Sequence, residues 1–222
     1  MSRRNQLSLK YLRGHGLEVG PLNAPLPVGD GAKVTYVDRL PVEELRRHYP
    51  ELGDIELFVD VVDDGEVLAT VPPSSQDFII ANHMLEHCEN PLGTLRHHLS
   101  KVKPGGVLYY AIPDKRFTFD RDRALTPFDH LVLDDMMGVE GTREAHYRDY
   151  VLNVDRMSGA DAVSRIRHLM DIRYSIHFHV WDHESYGDFL RRAAGYLPTP
   201  FEILELEFIE DRSEAVAILR TS

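Results

Sequence analysis

The chain has 222 residues, with 25 lysines and arginines against 36 aspartates and glutamates, for a net charge of −11. That length suits one domain of ordinary size, and the acidic balance argues against nucleic acid as a main partner. Apolar residues at 43% and charged residues at 27% exclude disorder and collagen-like repeats. The longest apolar stretches, 78–81 and 107–112, fall far short of the roughly 20 residues a membrane span needs. The start, Met1-Ser2-Arg3-Arg4, is charged but leads into no apolar segment, so no secretory signal is expected. The lone Cys88 excludes an intramolecular disulfide and fits a reducing, cytoplasmic setting.

Five short apolar runs read as strands. They cover 17–19, 33–37, 56–59, 77–81 and 107–112, and the first three end at Gly20, Asp38 and Asp60. Each is continuous rather than alternating, as in strands of a parallel sheet covered by helices on both faces. Helices fit the gaps at 41–49 and 91–103. In the second, Leu92, Leu95, Leu99 and Val102 recur on one helical face, and Lys101 and Lys103 suit the negative end of the helix dipole. Pro104-Gly105-Gly106 ends that helix and turns the chain into the fifth strand. A further helix is expected at 184–194. After it, 201–208 and 214–219 read as an antiparallel hairpin around the polar turn 210–213.

The stretch 114–183 is too long for a simple crossover and holds six of the twelve histidines. It reads as a helical insertion or lid within a single domain spanning 1–222.

The ordered motifs carry more than a fold class. They are Gly16-Leu17-Glu18-Val19-Gly20-Pro21, Tyr36-Val37-Asp38, Phe58-Val59-Asp60, the run 77–87 ending Asn82-His83-Met84-Leu85-Glu86-His87, and the helix leading into Pro104-Gly105-Gly106. In this order they resemble the motifs of class I S-adenosylmethionine-dependent methyltransferases, the broad group that modifies small molecules and sugars. The resemblance covers about 16–113 and implies a Rossmann-like, seven-stranded, mostly parallel α/β sheet with an antiparallel C-terminal hairpin. The first loop departs from the family's glycine-rich pattern. It reads Gly20-Pro21-Leu22-Asn23-Ala24-Pro25, and the short span to Lys33 leaves the usual first helix shortened or lost.

The resemblance implies S-adenosylmethionine as cofactor. Glu18 would offset the charge of its ammonium and sulfonium, and Gly20, with Pro21 and Asn23 in the same loop, would let the backbone approach. Asp38 would accept both ribose hydroxyls, because a carboxylate has two oxygens to offer. Asp60 would face the adenine amino group, and Asn82 and His83 would line the methionine arm.

On the acceptor side, Asp114 follows the fifth strand and either orients an acceptor hydroxyl or merely forms a turn after Pro113. His177 and His179 would share a face if extended, with Asp182 and His183 close by and His130 and His146 upstream. They read as a general base, as part of a metal set, or as half-exposed surface histidines. No zinc-finger or His-Glu-x-x-His spacing is present, and methyl transfer from a sulfonium needs no Lewis acid, so no metal is expected. His97 and His98 read as solvated or packing residues, and Cys88 as a small core residue. The leading expectation is O-methylation of a small-molecule, sugar or peptide-like acceptor, with no membrane partner and compatible with a homodimer. Two alternatives stand beside it: a methyltransferase-like fold doing other chemistry at a His/Asp metal site, and a non-catalytic partner domain with a degraded cofactor loop. A nicotinamide dehydrogenase is disfavoured, because the dinucleotide glycine fingerprint is absent.

Overall fold

The apolar runs assemble into one sheet. The computed structural model describes residues 1–222. Its strands are β1 (Gly14–Val19), β2 (Ala32–Asp38), β3 (Val61–Val62), β4 (Gln76–Asn82), β5 (Val102–Pro113), β6 (Phe201–Ile209) and β7 (Glu214–Thr221). They lie in the order β3-β2-β1-β4-β5-β7-β6. The first five are parallel, and β7 runs antiparallel to both of its neighbours. The fold is therefore the Rossmann-like α/β sheet with a C-terminal hairpin that the motifs imply. The helices are α1 (Arg3–Tyr11), α2 (Val42–His48), α3 (Pro91–Lys101), α4 (Phe128–Met137), α5 (Arg143–Asn153), α6 (Gly159–Asp171) and α7 (His183–Tyr196).

Both faces of the central strands are buried, which is why their sequences do not alternate. Ile79, Ala81, Leu108 and Tyr110 face a core of 27 buried residues that includes Leu92, Leu95 and Leu99 of α3 and Phe189 and Leu190 of α7. Phe78, Ile80, Tyr109 and Ala111 face a smaller core of 11, closed by Leu7 of α1, Leu12 and Leu26. No helix follows β1 on that second face, because the chain from Gly20 to Gly31 is loop. The N-terminal helix α1, which the apolar pattern did not reveal, covers the bared strands instead. Ser2 caps it by accepting the Asn5 N–H. Its polar side is tied to the hairpin by Arg4–Glu214, Lys10–Glu205 and Arg3–Glu207.

The third strand is not where the apolar run 56–59 placed it. Leu57 is buried, but Phe58 gives its N–H to the Leu22 carbonyl at 2.9 Å and its ring meets that of Tyr36 at a tilt, 5.1 Å between centroids. The run is used to hold the loop after β1 rather than to pair with β2. Pairing begins only at Val37↔Val61 and Asp38↔Val62, so the strand ends beyond Asp60 and leads into Asp63-Asp64-Gly65. The fifth strand is longer than expected and α3 shorter, since the chain enters β5 already at Val102.

The segment between β5 and α7 holds α4, α5 and α6, with a small core of its own built from Tyr147, Val151, Ile166, Leu169, Ile176 and Phe178. It returns to the sheet through an extended stretch, where Phe178 donates its N–H to the Glu86 carbonyl at 2.7 Å. The capping box between Asp182 and Ser185 then starts α7.

Candidate active site

A cavity of about 470 Å³ opens at the carboxyl ends of β1, β2 and β4, the usual place for a ligand in a sheet of this kind. Val19, Gly20 and Leu22 line it from the first loop, and Asp38 and Arg39 from the end of β2. Asp64, Gly65 and Glu66 come from the turn after β3. Asn82, His83, Met84, His87 and Cys88 follow β4, and Tyr174 and Ser175 reach in from the segment before α7. Gly20 has φ +61°, and a Cβ there would meet nothing, so the backbone is bare toward the cavity. Gly65 is needed for the opposite reason, because a Cβ would lie 2.5 Å from Val19 Cγ1.

Of the residues singled out from the sequence, Gly20, Asp38, Asn82 and His83 line this cavity together. Asp38 is buried, which pushes its carboxyl up, and its Oδ1 accepts only the Leu40 N–H at 3.4 Å. Asn82 keeps a buried Oδ1 without a hydrogen bond. Burial lowers the His83 pKa, but its contact with Glu214 at 2.7 Å and the nearby Glu86 outweigh this and raise it overall.

Four others stand behind or beside the cavity. Glu18 is buried under the first loop, where both carboxylate oxygens accept the Leu26 N–H at 3.0 Å, so it shapes the loop rather than facing a ligand. Pro21 is buried within that loop and Asn23 is exposed, and neither lines the cavity. Asp60 lies before β3 and accepts the Tyr36 N–H at 2.9 Å. The acidic position at the end of that strand belongs to Asp63 and Asp64. Asp63 is spent on Thr70 and the Asp64 N–H, and Asp64 lines the cavity. A strand end at Val62 would have pointed to this turn.

Burial lifts the Glu18 carboxyl to about 7, against the pull of the Leu26 N–H, Arg4 and Asn82. The folded chain therefore favours the protonated form. That contribution to stability is complete below about pH 4.5 and is lost as the pH rises through about 7. Urea unfolding of the Glu18→Gln variant is expected to lack this decline, a difference of about 3 kcal/mol between roughly pH 4 and pH 8. Parallel pH curves for the two proteins would contradict it.

The acceptor-side residues separate. Asp114 is buried and spent: it accepts from the Arg116 backbone and guanidinium and from the His183 N–H at 2.9 Å. Burial raises its carboxyl pKa, but these donors outweigh it and hold the group below the usual range. It fastens the end of β5 to the start of α7 and does not line the cavity.

His177 and His179 do not share a face, because the chain bends at His179. His177 Nδ1 lies 2.6 Å from Asp120 Oδ2, and its ring meets that of cavity-lining His87 edge-on at 4.6 Å. His179 is fully buried, with Nε2 3.1 Å from the Glu89 carbonyl, and burial pushes it down to about 3. It packs instead on His146 and His130.

The His177 environment contains groups that the sequence pattern did not single out. Arg123 is fully buried and bridges Asp120 and Asp149, each at 2.7 Å, and also donates to the His177 carbonyl at 2.8 Å. His87 donates through Nδ1 to the Ile176 carbonyl at 3.0 Å, and burial lowers its pKa to about 4. Glu86 is fully buried with neither carboxylate oxygen hydrogen-bonded, and burial raises it. Glu86, His87 and His177 bring ligand atoms within 4.8 Å of one another. Glu86 and His87 sit in the run after β4, so their motif was visible; Asp120 and Arg123 carry no local signal.

A family model described as a methyltransferase domain matches residues 14–196. The chain belongs to this family. The methyltransferase uses S-adenosylmethionine, and a cavity lined by Asp38, Asp64 and Glu66 with one bare glycine backbone suits that cationic nucleoside. The chain is 38% identical over 82 residues to a ubiquinone biosynthesis O-methyltransferase of Xanthomonas campestris, a match covering 36% of this chain and 33% of that one. It thus spans about a third of the length of the curated relatives it matches. A crystal structure of an S-adenosylmethionine-dependent methyltransferase from Aquifex aeolicus superposes with TM-score 0.51 at 15% identity, over 98% of this chain and 88% of that one. A structure titled as putative zinc-dependent alcohol dehydrogenases from Rhodobacter sphaeroides superposes at 0.57 with 12% identity, over 100% and 90%. At these identities the likeness is one of fold, and the fold alone does not decide the chemistry. The methyltransferase has no helix long and apolar enough to cross a membrane.

Proposed function

We propose that this methyltransferase O-methylates a small-molecule acceptor at a hydroxyl delivered to His177. The observation that carries the reading is the Asp120–His177 pair beside cavity-lining His87, where a buried carboxylate holds one nitrogen of an imidazole that adjoins the cofactor cavity. S-adenosylmethionine supplies an electrophilic methyl on a sulfonium when bound. Asp38 would hold the ribose diol, Asp64 would face the adenine end, and the unpartnered Asn82 Oδ1 would accept from the ammonium. His177 Nε2 would take the hydroxyl proton while Asp120 steadies the resulting imidazolium through Nδ1. The segment 114–183, which contributes Tyr174 and Ser175, would cover the acceptor and keep out water. The relatives named for ubiquinone biosynthesis O-methylation support oxygen as the methylated atom.

The test is S-adenosylhomocysteine release with a panel of hydroxylated aromatic and sugar acceptors, each beside its O-methylated analogue. Turnover is expected only with the free hydroxyl. Equal turnover with the blocked analogues, or with amines alone, overturns the reading. The cofactor half has its own test. Asp38→Ala is expected to weaken S-adenosylhomocysteine by about tenfold or more, since hydrogen bonds to a charged group are worth roughly 1.5–3 kcal/mol each. Unchanged calorimetric affinity in a folded variant removes Asp38 from the site.

A second reading is favoured by Glu86, whose buried carboxylate lacks any hydrogen bond. Glu86, His87 and His177 would then hold a divalent cation that polarises the acceptor oxygen, with the Ile176 carbonyl and Asp120 orienting the two imidazoles. Titrating divalent cations into dialysed enzyme separates the two. Turnover that is flat supports the base. Turnover that requires the cation, with Glu86→Gln as damaging as His177→Ala, supports the metal.

A further inference from the structure

A different cluster lies within the segment between β5 and α7, and none of its members lines the cofactor cavity. His130 and Asp134 stand one turn apart on α4, His146 comes from α5, and His179 from the bend before α7. One ligand atom from each lies within 4.8 Å of all the others. His130 Nε2 is 3.1 Å from His146 Nε2 and 3.2 Å from Asp134 Oδ2. Asp134 Oδ2 is 3.9 Å from His146 Nε2 and 4.0 Å from His179 Nε2. A tetrahedral zinc with bonds of about 2.0–2.1 Å places its donors roughly 3.3–3.4 Å apart. Small side-chain rotations would bring this set to that spacing.

Hydrogen bonding inside the cluster does not account for it. Asp134 and His179 are fully buried, yet Asp134 Oδ2 and His179 Nδ1 have no hydrogen-bond partner. Orphaned buried polar atoms of this kind are costly and uncommon. Thr142 Oγ1 donates to Asp134 Oδ1 at 2.5 Å, which leaves Oδ2 aimed at the three imidazoles. His179 Nε2 lies 3.1 Å from the Glu89 carbonyl and 4.0 Å from Asp134 Oδ2, so ligation would move its proton to the unpartnered Nδ1 and turn Nε2 from the carbonyl to the cation. No lysine or arginine enters the cluster to neutralise the carboxylate.

We infer that His130, Asp134, His146 and His179 form a structural site for a zinc-class divalent cation. Three nitrogens and one oxygen favour zinc and its transition-metal neighbours over magnesium or calcium, which take mainly oxygen ligands. Four protein ligands leave no open position, so the site is closed and structural rather than catalytic. It ties α4 and α5 to the chain two residues beyond His177. The cation would thereby fix the segment that carries His177, Tyr174 and Ser175 over the cavity. This inference does not depend on which atom the enzyme methylates.

The experiment uses the full chain. Purified protein is stripped with a strong chelator, dialysed and titrated with zinc, while zinc per chain and Tm are followed. The wild type is expected to retain about one zinc per chain, the capacity of one four-ligand site. Its Tm should rise by about 5–10 °C at zinc roughly 100-fold above the dissociation constant. Asp134→Ala/His146→Ala is expected to lose both the zinc and the Tm response, whereas His177→Ala keeps both. Wild-type protein that holds no zinc overturns the inference. So does a zinc that survives in the double variant and vanishes in His177→Ala, because it then belongs to Glu86, His87 and His177. Should the double variant fail to fold, His130→Gln at the half-exposed position replaces it. At least about tenfold weaker zinc binding is expected there, and unchanged affinity overturns the site.

Discussion

Replacing His177 by alanine is expected to lower kcat by about 10²–10⁴-fold while leaving S-adenosylhomocysteine affinity nearly intact. The split follows from position. His177 does not line the cofactor cavity itself but adjoins it through His87, so its loss removes a proton acceptor without removing a cofactor contact. Asp120 makes the imidazole useful by holding Nδ1 at 2.6 Å, which leaves Nε2 as the basic nitrogen. Asp120→Asn is therefore expected to fall on the same side as His177→Ala, with kcat reduced and cofactor affinity kept. Steady-state rates at saturating cofactor, paired with calorimetry, check both. A His177→Ala enzyme with undiminished kcat ends the base reading. A large loss of cofactor affinity would instead show that the variant disturbs the cavity through His87.

Arg123→Ala is expected to be the most damaging substitution for stability, at about 3–5 kcal/mol, because it strands a buried carboxylate. Arg123 and Asp120 are both almost fully buried, and the same guanidinium reaches Asp149 and the His177 carbonyl. Without it Asp120 keeps only His177 and Thr118 as partners. For a chain of this length the loss corresponds to a fall in Tm of roughly 6–20 °C. Calorimetric unfolding measures it directly, and a Tm within about 2 °C of wild type would show that water or rearrangement compensates the carboxylate. The paired kinetic expectation is a lower kcat, since Asp120 loses the anchor that aims it at His177.

The cofactor end of the fold was legible because its signals are local. An apolar run followed by a small or acidic residue marks where a buried strand emerges, and Gly20, Asp38 and Asn82-His83 sit at such points and line the cavity together. The same logic failed at the third strand. Apolar character in 56–59 records burial, not pairing, and Leu57 and Phe58 are packed against the first loop and Tyr36 instead. The error carried Asp60 with it, since the strand end it was meant to occupy lies at Val62.

Amino-acid order alone determined the sheet's parallel core and the hairpin that closes it, and it left the helix after β1 shortened or lost. Periodicity and turn residues acting over a few positions carried the fold, and the resemblance of the ordered motifs carried the family. Only the tertiary structure decided what the histidines and the remaining acids do. His177 and His179 are two residues apart, yet one meets Asp120 and the other approaches Asp134, because a single bend sends their rings to different elements. Glu18 and Asp114 look like site residues from their strand ends, but Leu26, Arg116 and His183 occupy their oxygens. Helix α1 carries too short an apolar pattern to announce itself. It is placed by the exposed sheet face that the missing helix leaves, and burial of that face is a property of the whole fold.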